Sequence, residues 1–430
     1  MKKKQINRFE RFRCQIVKIL AELNYLLLKS KNVLLKKLVI VRTYLNKQGG
    51  KMMQAVTWQG NQKMDVRRVE DPTILEPTDA IIRITATAIC GSDLHLYHHG
   101  GSVLEEGYVV GHEPMGIVEE VGSQVQKLKK GDRVVIPFNI GCGHCHFCQN
   151  EMESQCDNSS EDTLYGGLFG FGKMNGNHWG GQAEFLRVPF ADFTSFIVPE
   201  STIPDEKVLF LSDILPTAYW SVQNAGVKKD DTVIVLGSGP VGLFAQKFAV
   251  MAGAKRVIAV DPVAHRLEKA SSYNQVETFQ LDDLATSADE LYELTKGGAD
   301  VIIDCVGMDG LEPVKEKAKN LVSLQSGTIS PIQMAAKAVK KFGTVQITGV
   351  YMTPASSYPL QEFFMRNVAV KHGQAPVIHL MPKIYEMIQK EEIDPTPIIT
   401  HTMPLEEAAA AYDIFDKKED NNIKVVLKPN

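Results

Sequence analysis

The chain lacks any run of 18 uninterrupted apolar residues, so no segment is long enough to cross a bilayer as a helix. Near its start it lacks a signal peptide's compact apolar region and small-residue cleavage site. It also lacks an even complement of cysteines. Cys14, Cys90, Cys142, Cys145, Cys148, Cys156 and Cys305 make seven, four of them clustered. That pattern fits a reducing, cytoplasmic compartment better than a disulfide framework. Positive charge is scarce over most of the length. Of totals of 47 Lys+Arg and 51 Asp+Glu, residues 1–51 hold 14 and 2, leaving 33 and 49 for residues 52–430, a net of −16. An acidic body argues against a nucleic-acid partner.

What is present is an ordinary globular composition, 44% hydrophobic and 23% charged. At 430 residues the chain has room for about three domains. Residues 1–51 stand apart as a basic N-terminal extension. They read as a membrane-surface amphipathic helix, as a transit peptide, or as upstream sequence translated in frame. The third reading has specific support. Gln48-Gly49-Gly50-Lys51-Met52 is encodable by a ribosome-binding sequence just ahead of a start codon. Translation is therefore expected to begin at Met52 or Met53, and the extension is left out of the fold.

From Met53 the text changes to short runs with turn punctuation. MQAVTW, MDVRRVE, AIIRITATAIC, MGIVEEVG and DRVVIPF alternate apolar and polar residues, which predicts a β-rich domain. Within it, GCGHCHFCQNEMESQC places Cys142, Cys145, Cys148 and Cys156 at C-x2-C-x2-C-x7-C. Four thiolates satisfy a closed tetrahedral zinc site. A ferredoxin-type cluster would want three residues and then a cysteine followed by proline, whereas seven intervene here and Asp157 follows. His144 and His146 are expected in exposed loops, outside the ligand set. The glycine- and aromatic-rich LYGGLFGFGKMNGNHWGG reads as a flexible cover over a cleft or as a series of tight turns, with Trp179 a candidate contact to substrate or cofactor.

The stretch CGSDLHLYHHGGSVLEEGYVVGHEPMG, residues 90–116, carries the densest chemistry. It offers the Cys90 thiol, the Ser92 hydroxyl and the imidazoles of His95 and His112. Glu113 follows in a Gly-His-Glu turn, and the mixture suits zinc. Cys90 closes a predicted strand, so a rigid sheet would hold it at the edge of a cleft. His98 and His99 read as loop residues.

A second architecture begins at Thr232. In TVIVLGSGPVGLFAQKFAVMAGAKRVIAVD an apolar strand, a glycine turn, a helix and a second strand follow in order. Gly237, Gly239 and Gly242 form G-x-G-x-x-G, with Pro240 and Val241 opening the helix, and Asp261 stands 19 residues beyond Gly242. In this context the motif predicts a dinucleotide-binding unit whose helix N-terminus meets the pyrophosphate. Asp261 would accept ribose hydroxyls and repel a 2′-phosphate, which favours NAD over NADP. Arg266 and His265, a turn later, are expected to face solvent, with Arg266 weakening that exclusion slightly. ADELYELT and QMAAKAVKKFG read as helices, ADVIIDCVG and TVQITGVY as strands, giving a parallel sheet. The Met308–Pro331 interval reads as a surface insertion. Cys305 reads as a core residue. After Tyr351 a helix, HLMPKIYEMIQK, and a terminal strand, IKVVLKP, are positioned to complete the first domain.

Taken together, ICGSDLHLY, GHEPMG, the four-cysteine lobe, VLGSGPVG and IKVVLKP resemble the zinc-containing medium-chain alcohol dehydrogenase family across residues 53–430. LSDILPTAYW, GGQAEFLRVPFAD and KHGQAPV resemble its formaldehyde-dehydrogenase-like branch. The resemblance implies an α/β chain with a GroES-like catalytic domain (52–212 and 352–430, zinc lobe 141–157) split around a Rossmann domain (213–351). It implies two zinc ions per chain, NAD, an alcohol or aldehyde substrate, and a homodimer or homotetramer. It adds Asp213 as third ligand to Cys90 and His112, where many members carry cysteine; read alone, Asp213 would be a helix N-cap. It further implies that Ser92 takes the substrate proton, that surface-lying His95 passes it to solvent, and that Asp93 orients His112. Glu113 would assist ligand exchange. Polyol or amino-alcohol oxidation, aldehyde dismutation with retained cofactor, and a non-catalytic zinc- and nucleotide-binding sensor are the alternatives.

Overall fold

The computed structural model describes residues 51–160, 164–199, 202–309, 328–351 and 357–429. The basic extension up to residue 50 and residues 310–327 of the long insertion lie outside them. Alternation along Ala80–Ile89 builds the first sheet, because β-branched and small residues on a pleated surface pack on both faces. The strands are β1 (Met52–Trp58), β2 (Met64–Glu70), β3 (Ala80–Ile89), β4 (Tyr108–Val109), β5 (Glu113–Val121), β6 (Arg133–Val135), β7 (Phe185–Val188) and β8 (Phe196–Ile197). Between β3 and β4 a helix, α1 (Gly91–His99), runs over the sheet end. It takes in His98 and His99, which the sequence placed in a loop; His98 Nε2 lies 2.8 Å from Asp416 Oδ1.

The second half alternates. Helix α2 (Ile214–Ala225) leads to β9 (Thr232–Leu236), α3 (Pro240–Met251), β10 (Arg256–Asp261), β11 (Glu277–Gln280), α4 (Leu284–Leu294), β12 (Ala299–Asp304), α5 (Ser330–Ala338) and β13 (Val339–Ile347). Then come α6 (Leu360–Met365), β14 (Ala369–His372), α7 (Val377–Gln389), β15 (Ile399–Pro404), α8 (Ala408–Lys417) and β16 (Lys424–Lys428). The helix expected over Gln333–Gly343 stops at Ala338. Val339 is claimed by the sheet, where it pairs with Ala299.

One sheet runs β11-β10-β9-β12-β13-β14, parallel throughout. Its strands are the near-continuous apolar runs that such sheets require when helices cover both faces. The sheet extends beyond residue 351, the boundary expected from sequence, because β14 adds to the outer edge of β13. The other large sheet runs β15-β16-β3-β5-β6-β8, with β7 on β3. Its C-terminal strand returns across the whole chain, pairing Val425 with Ile89 beside Cys90. Residues Met53–Asn430 form one compact unit. No helix among the described residues is long and apolar enough to cross a membrane.

Candidate active site and metal centres

Three pieces of chain meet at one point. Cys90 directly follows β3, His112 directly precedes Glu113 at the start of β5, and Asp213 stands before α2. One ligand atom from each of Cys90, His112, Glu113 and Asp213 lies within 4.8 Å of the others, and all four residues are buried. Asp213 Oδ2 is 3.5 Å from Cys90 Sγ and 3.3 Å from His112 Nε2. A tetrahedral ion with usual zinc bond lengths sets its sulfur–oxygen edge at about 3.5 Å and its nitrogen–oxygen edge at about 3.3 Å, so the donors fit that ion. Asp213 occupies the N-cap position of α2 yet makes no side-chain cap hydrogen bond. Its carboxylate is turned to the donor set instead.

The surroundings hold each donor in place. Asp93 Oδ1 is 3.0 Å from His112 Nδ1, which leaves Nε2 facing Asp213. Asp93 Oδ2 accepts the Cys90 backbone N–H at 3.0 Å. Gln182 reaches Asp93 Oδ2 at 3.4 Å and accepts the Tyr412 hydroxyl at 2.9 Å. Ser92 Oγ lies 3.1 Å from His112 Nε2, beside the donors. Phe138 and Phe171 stand against the imidazole, with ring centroids 6.4 and 5.1 Å away. Glu113 faces Lys424, whose Nζ lies 2.7 and 2.6 Å from the two carboxylate oxygens and donates to the Ile89 carbonyl at 2.9 Å. Both side chains are fully buried.

Charge in this pocket is lopsided. Burial would lower the His112 pKa, but the Asp93 charge and hydrogen bonds to Asp213, Asp93 and Cys90 hold it well above the usual imidazole value. Burial, followed by the Asp213 and Glu113 charges, pushes the Cys90 thiol up. Burial also works against ionised Asp213, and hydrogen bonds from His112 and Thr217 overcome it to keep that carboxyl low. A pocket with four acidic groups and two basic ones favours a cation at its centre.

His95 departs from expectation. It is 3% exposed, on the inward face of α1, and therefore is not at the surface. Burial extends from Asp93 through Tyr97 along that helix. Lys424, Gln182, Tyr412, Thr217, Phe138 and Phe171 escaped sequence reasoning altogether. Only Lys424 carried a signal, as a cation directly ahead of the apolar run of residues 425–427.

The second cluster holds Cys142, Cys145, Cys148 and Cys156, with Sγ separations of 3.9 Å (Cys142–Cys148) and 3.8 Å (Cys145–Cys156). Zinc–sulfur bonds of about 2.3 Å give tetrahedral edges of about 3.8 Å. Backbone N–H groups of Cys142, His144, Cys145 and Cys148 donate to these sulfurs. Burial raises the Cys145 thiol, but backbone donors from Cys148 and Asp157 outweigh it and bring the group to about 7. His144 and His146 are exposed. The lobe is tied to α7 by His379, whose backbone N–H and Nδ1 meet Glu153 Oε1 at 3.0 and 3.1 Å. Trp179 is 40% exposed.

At the nucleotide end, Gly237 has φ 88°, a left-handed turn that suits only glycine, and a Cβ on Gly242 would overlap the Gly237 carbonyl. Nothing but Arg266 Nη1, 3.7 Å off, faces a Cβ built on Gly239, so the backbone is open to a ligand there. Pro240 and Val241 start α3 at that opening. Asp261, 2% exposed, accepts the Ser238 and Val263 backbone N–H groups at 2.7 and 2.8 Å. Arg266 does not face solvent as expected. It folds back over the glycine turn, and its Nε is buried without a partner among the described residues.

With this geometry in hand, the relatives are informative. Residues 76–199 match the family described as "Alcohol dehydrogenase GroES-like domain", and residues 240–320 match "Zinc-binding dehydrogenase". A zinc-type alcohol dehydrogenase-like protein, AdhB of Bacillus subtilis, is 55% identical over 88% of this chain and 100% of its own length. A glutathione-independent formaldehyde dehydrogenase of the same organism is 39% identical over 78% of this chain and 84% of its own. The solved alcohol dehydrogenase TADH from Thermus sp. ATN1 superposes with a TM-score of 0.72 at 33% identity, covering 88% of this chain and 100% of that one. The chain belongs to the zinc-containing medium-chain alcohol dehydrogenase family, with its GroES-like and nucleotide-binding parts both present.

Proposed function

We propose that this enzyme oxidises an alcohol, or the hydrate of an aldehyde, with NAD in the cleft bounded by Cys90, His112 and Asp213. The observation that carries the reading is the Asp213 carboxylate, turned from its helix-capping position to within 3.3–3.5 Å of His112 Nε2 and Cys90 Sγ. A zinc ion held by these three donors supplies Lewis acidity toward the substrate oxygen, and NAD supplies the hydride acceptor.

The chain's own part is positional. Asp93 keeps the proton of His112 on Nδ1, so Nε2 stays a donor. Ser92, next to that nitrogen, takes the substrate proton, and buried His95 is the next imidazole inward along α1. Lys424 neutralises Glu113 and keeps it paired at the rim of the donor set. Phe138 and Phe171 keep water off His112. Cys142, Cys145, Cys148 and Cys156 hold a second, structural zinc. Gly237, Gly239, Pro240, Val241 and Gly242 receive the pyrophosphate, with Asp261 and Arg266 at the adenosine end. The two catalytic-domain segments close around the Rossmann sheet, which we extend to residue 372 on the pairing of β14. Cytoplasmic placement fits six free cysteines among the described residues. A homodimer or homotetramer is supported by exposed Phe342, Leu360, Phe364 and Met365 (67–79% exposed) beside the edge strand β14.

The test is a panel of primary, secondary, polyhydroxy and amino alcohols, with formaldehyde with and without glutathione, on protein of measured zinc content. NADH formation on one class supports the proposal and names the substrate. NAD co-eluting stoichiometrically from gel filtration would point to dismutation. Protein with two zinc ions per chain that reduces no cofactor with any member would overturn the proposal.

A further inference from the structure

The two oxygens of Asp213 have different partners. Oδ2 faces Cys90 and His112, while Oδ1 accepts the Thr217 hydroxyl at 2.8 Å. Thr217 stands one helical turn along α2, and its backbone N–H also donates to the Asp213 carbonyl at 2.9 Å. The same turn that puts Asp213 at the helix start therefore supplies a hydroxyl over its second oxygen. We propose that Thr217 is a positioning residue that reserves one oxygen of Asp213 for the metal and keeps the carboxylate from chelating through both.

The need follows from the ligand type. A cysteine offers one donor atom, so its coordination is fixed once the sulfur is bound. A carboxylate offers two, and binding through both adds a fourth protein contact at the side where a catalytic zinc keeps its open position. A hydrogen bond on Oδ1 removes that option. It also draws charge from the carboxylate, which leaves the cation a stronger Lewis acid. The donor is held in turn. The Thr217 carbonyl accepts the Ser221 hydroxyl at 2.6 Å, and Ser221 Oγ accepts the Thr348 hydroxyl at 2.8 Å, fastening this side of α2 to the end of β13.

The inference rests on the proposed role of Asp213, and the experiment separates the two. Thr217→Val removes the hydroxyl at nearly constant shape; Thr217→Ser retains it. Metal content, chelator competition and the visible spectrum of the cobalt-substituted protein are measured on the full chain, with Asp213→Ala as control. Thr217→Val is expected to weaken the catalytic site about 10-fold or more toward a chelator. It should also dim the intense bands of four-coordinate cobalt toward those of five-coordinate cobalt. Thr217→Ser should restore both, and the four-cysteine site should keep its metal in every variant, which also reports folding. If Thr217→Val does not fold, the same readings are taken on Thr217→Ala. Parent-like affinity and spectrum in the hydroxyl-less variant would overturn the positioning role while leaving Asp213 a ligand. Retention of both metals at parent affinity by Asp213→Ala would overturn the ligand role and this inference together.

Discussion

Replacing Lys424 by methionine should be among the most damaging single changes outside the metal ligands. Its ammonium group is fully buried, pairs with both Glu113 oxygens and donates to the Ile89 carbonyl. The Phe210 ring lies under it, 5.6 Å to the centroid. Methionine fills most of the volume, so the loss is electrostatic. It leaves a buried carboxylate without its counter-charge, which costs about 3–5 kcal/mol, a large part of a typical stability of about 5–15 kcal/mol. With m near 3 kcal/mol/M, the urea midpoint of the zinc-loaded protein should fall by about 1 M or more. Adding Glu113→Gln should recover much of that loss. Recovery stays incomplete because the Ile89 carbonyl still lacks its donor, worth about 1–3 kcal/mol. The pH dependence follows from the sign of the Glu113 shift. Burial raises its pKa and the Lys424 charge lowers it, with a net rise. A carboxyl raised in the folded state favours folding fully below its unfolded value of about 4.3, and loses that contribution as pH climbs through the folded value. Without Lys424 the rise is larger, so the penalty of the single variant should shrink as the solution is acidified. A single variant that loses less than about 1 kcal/mol at neutral pH, or a double variant worse than both singles, would refute this reasoning.

Asp93→Asn should weaken metal binding at the Cys90–His112–Asp213 site or turnover by about 10- to 100-fold, because His112 loses its charged orienting partner; chelator competition and kcat measure it. Cys148→Ser should remove one zinc per chain by elemental analysis and lower thermal stability while leaving the other site loaded. An unchanged zinc count would exclude the four-sulfur centre. Asp261→Ser should raise affinity for NADP relative to NAD by about tenfold, or about 1.4 kcal/mol, read by fluorescence titration of both cofactors. Arg266, folded over the glycine turn, supplies the cation such a switch needs. Phe364→Glu should shift the sedimentation coefficient toward the monomer if the apolar surface beside β14 is the subunit interface, and leave it unchanged otherwise.

The proposed ligands were legible because metal chemistry restricts residue type at short spacing. Four cysteines within 15 residues, or Cys90 and His112 on either side of one helix, are recognisable without tertiary information. The glycine turn was legible for a similar reason, since φ 88° at Gly237 excludes other residues. Asp213 was different. Its sequence context is that of an N-cap, and only the resemblance to a family assigned it to the metal. The geometry speaks against the capping role, because a capping carboxylate would accept N–H groups of its own helix, and this one accepts none. His95 was misjudged for want of burial information: a histidine beside Ser92 reads as exposed until the helix carrying it is packed against the sheet. Arg266 was misjudged in the same way, since a basic residue after an acidic strand end usually points outward.

Several of the residues that reading missed meet their partners across long separations in the chain. Glu113 and Lys424 are 311 positions apart, and Gln182 and Tyr412 are 230 apart. Both pairs meet because the chain leaves the first sheet, builds the nucleotide-binding sheet and then returns β16 to the flank of β3. No local pattern encodes such a meeting. The long return has a physical consequence: the C-terminal strand places the Lys424 ammonium group against Glu113, beside the proposed metal site. Removing that strand would therefore do more than open a sheet edge. It would leave Glu113, beside Cys90 and Asp213, without its buried ammonium counter-charge. The split of the catalytic domain around the nucleotide domain is thus also an electrostatic arrangement, in which the metal site gains its full charge balance only after the last strand has docked.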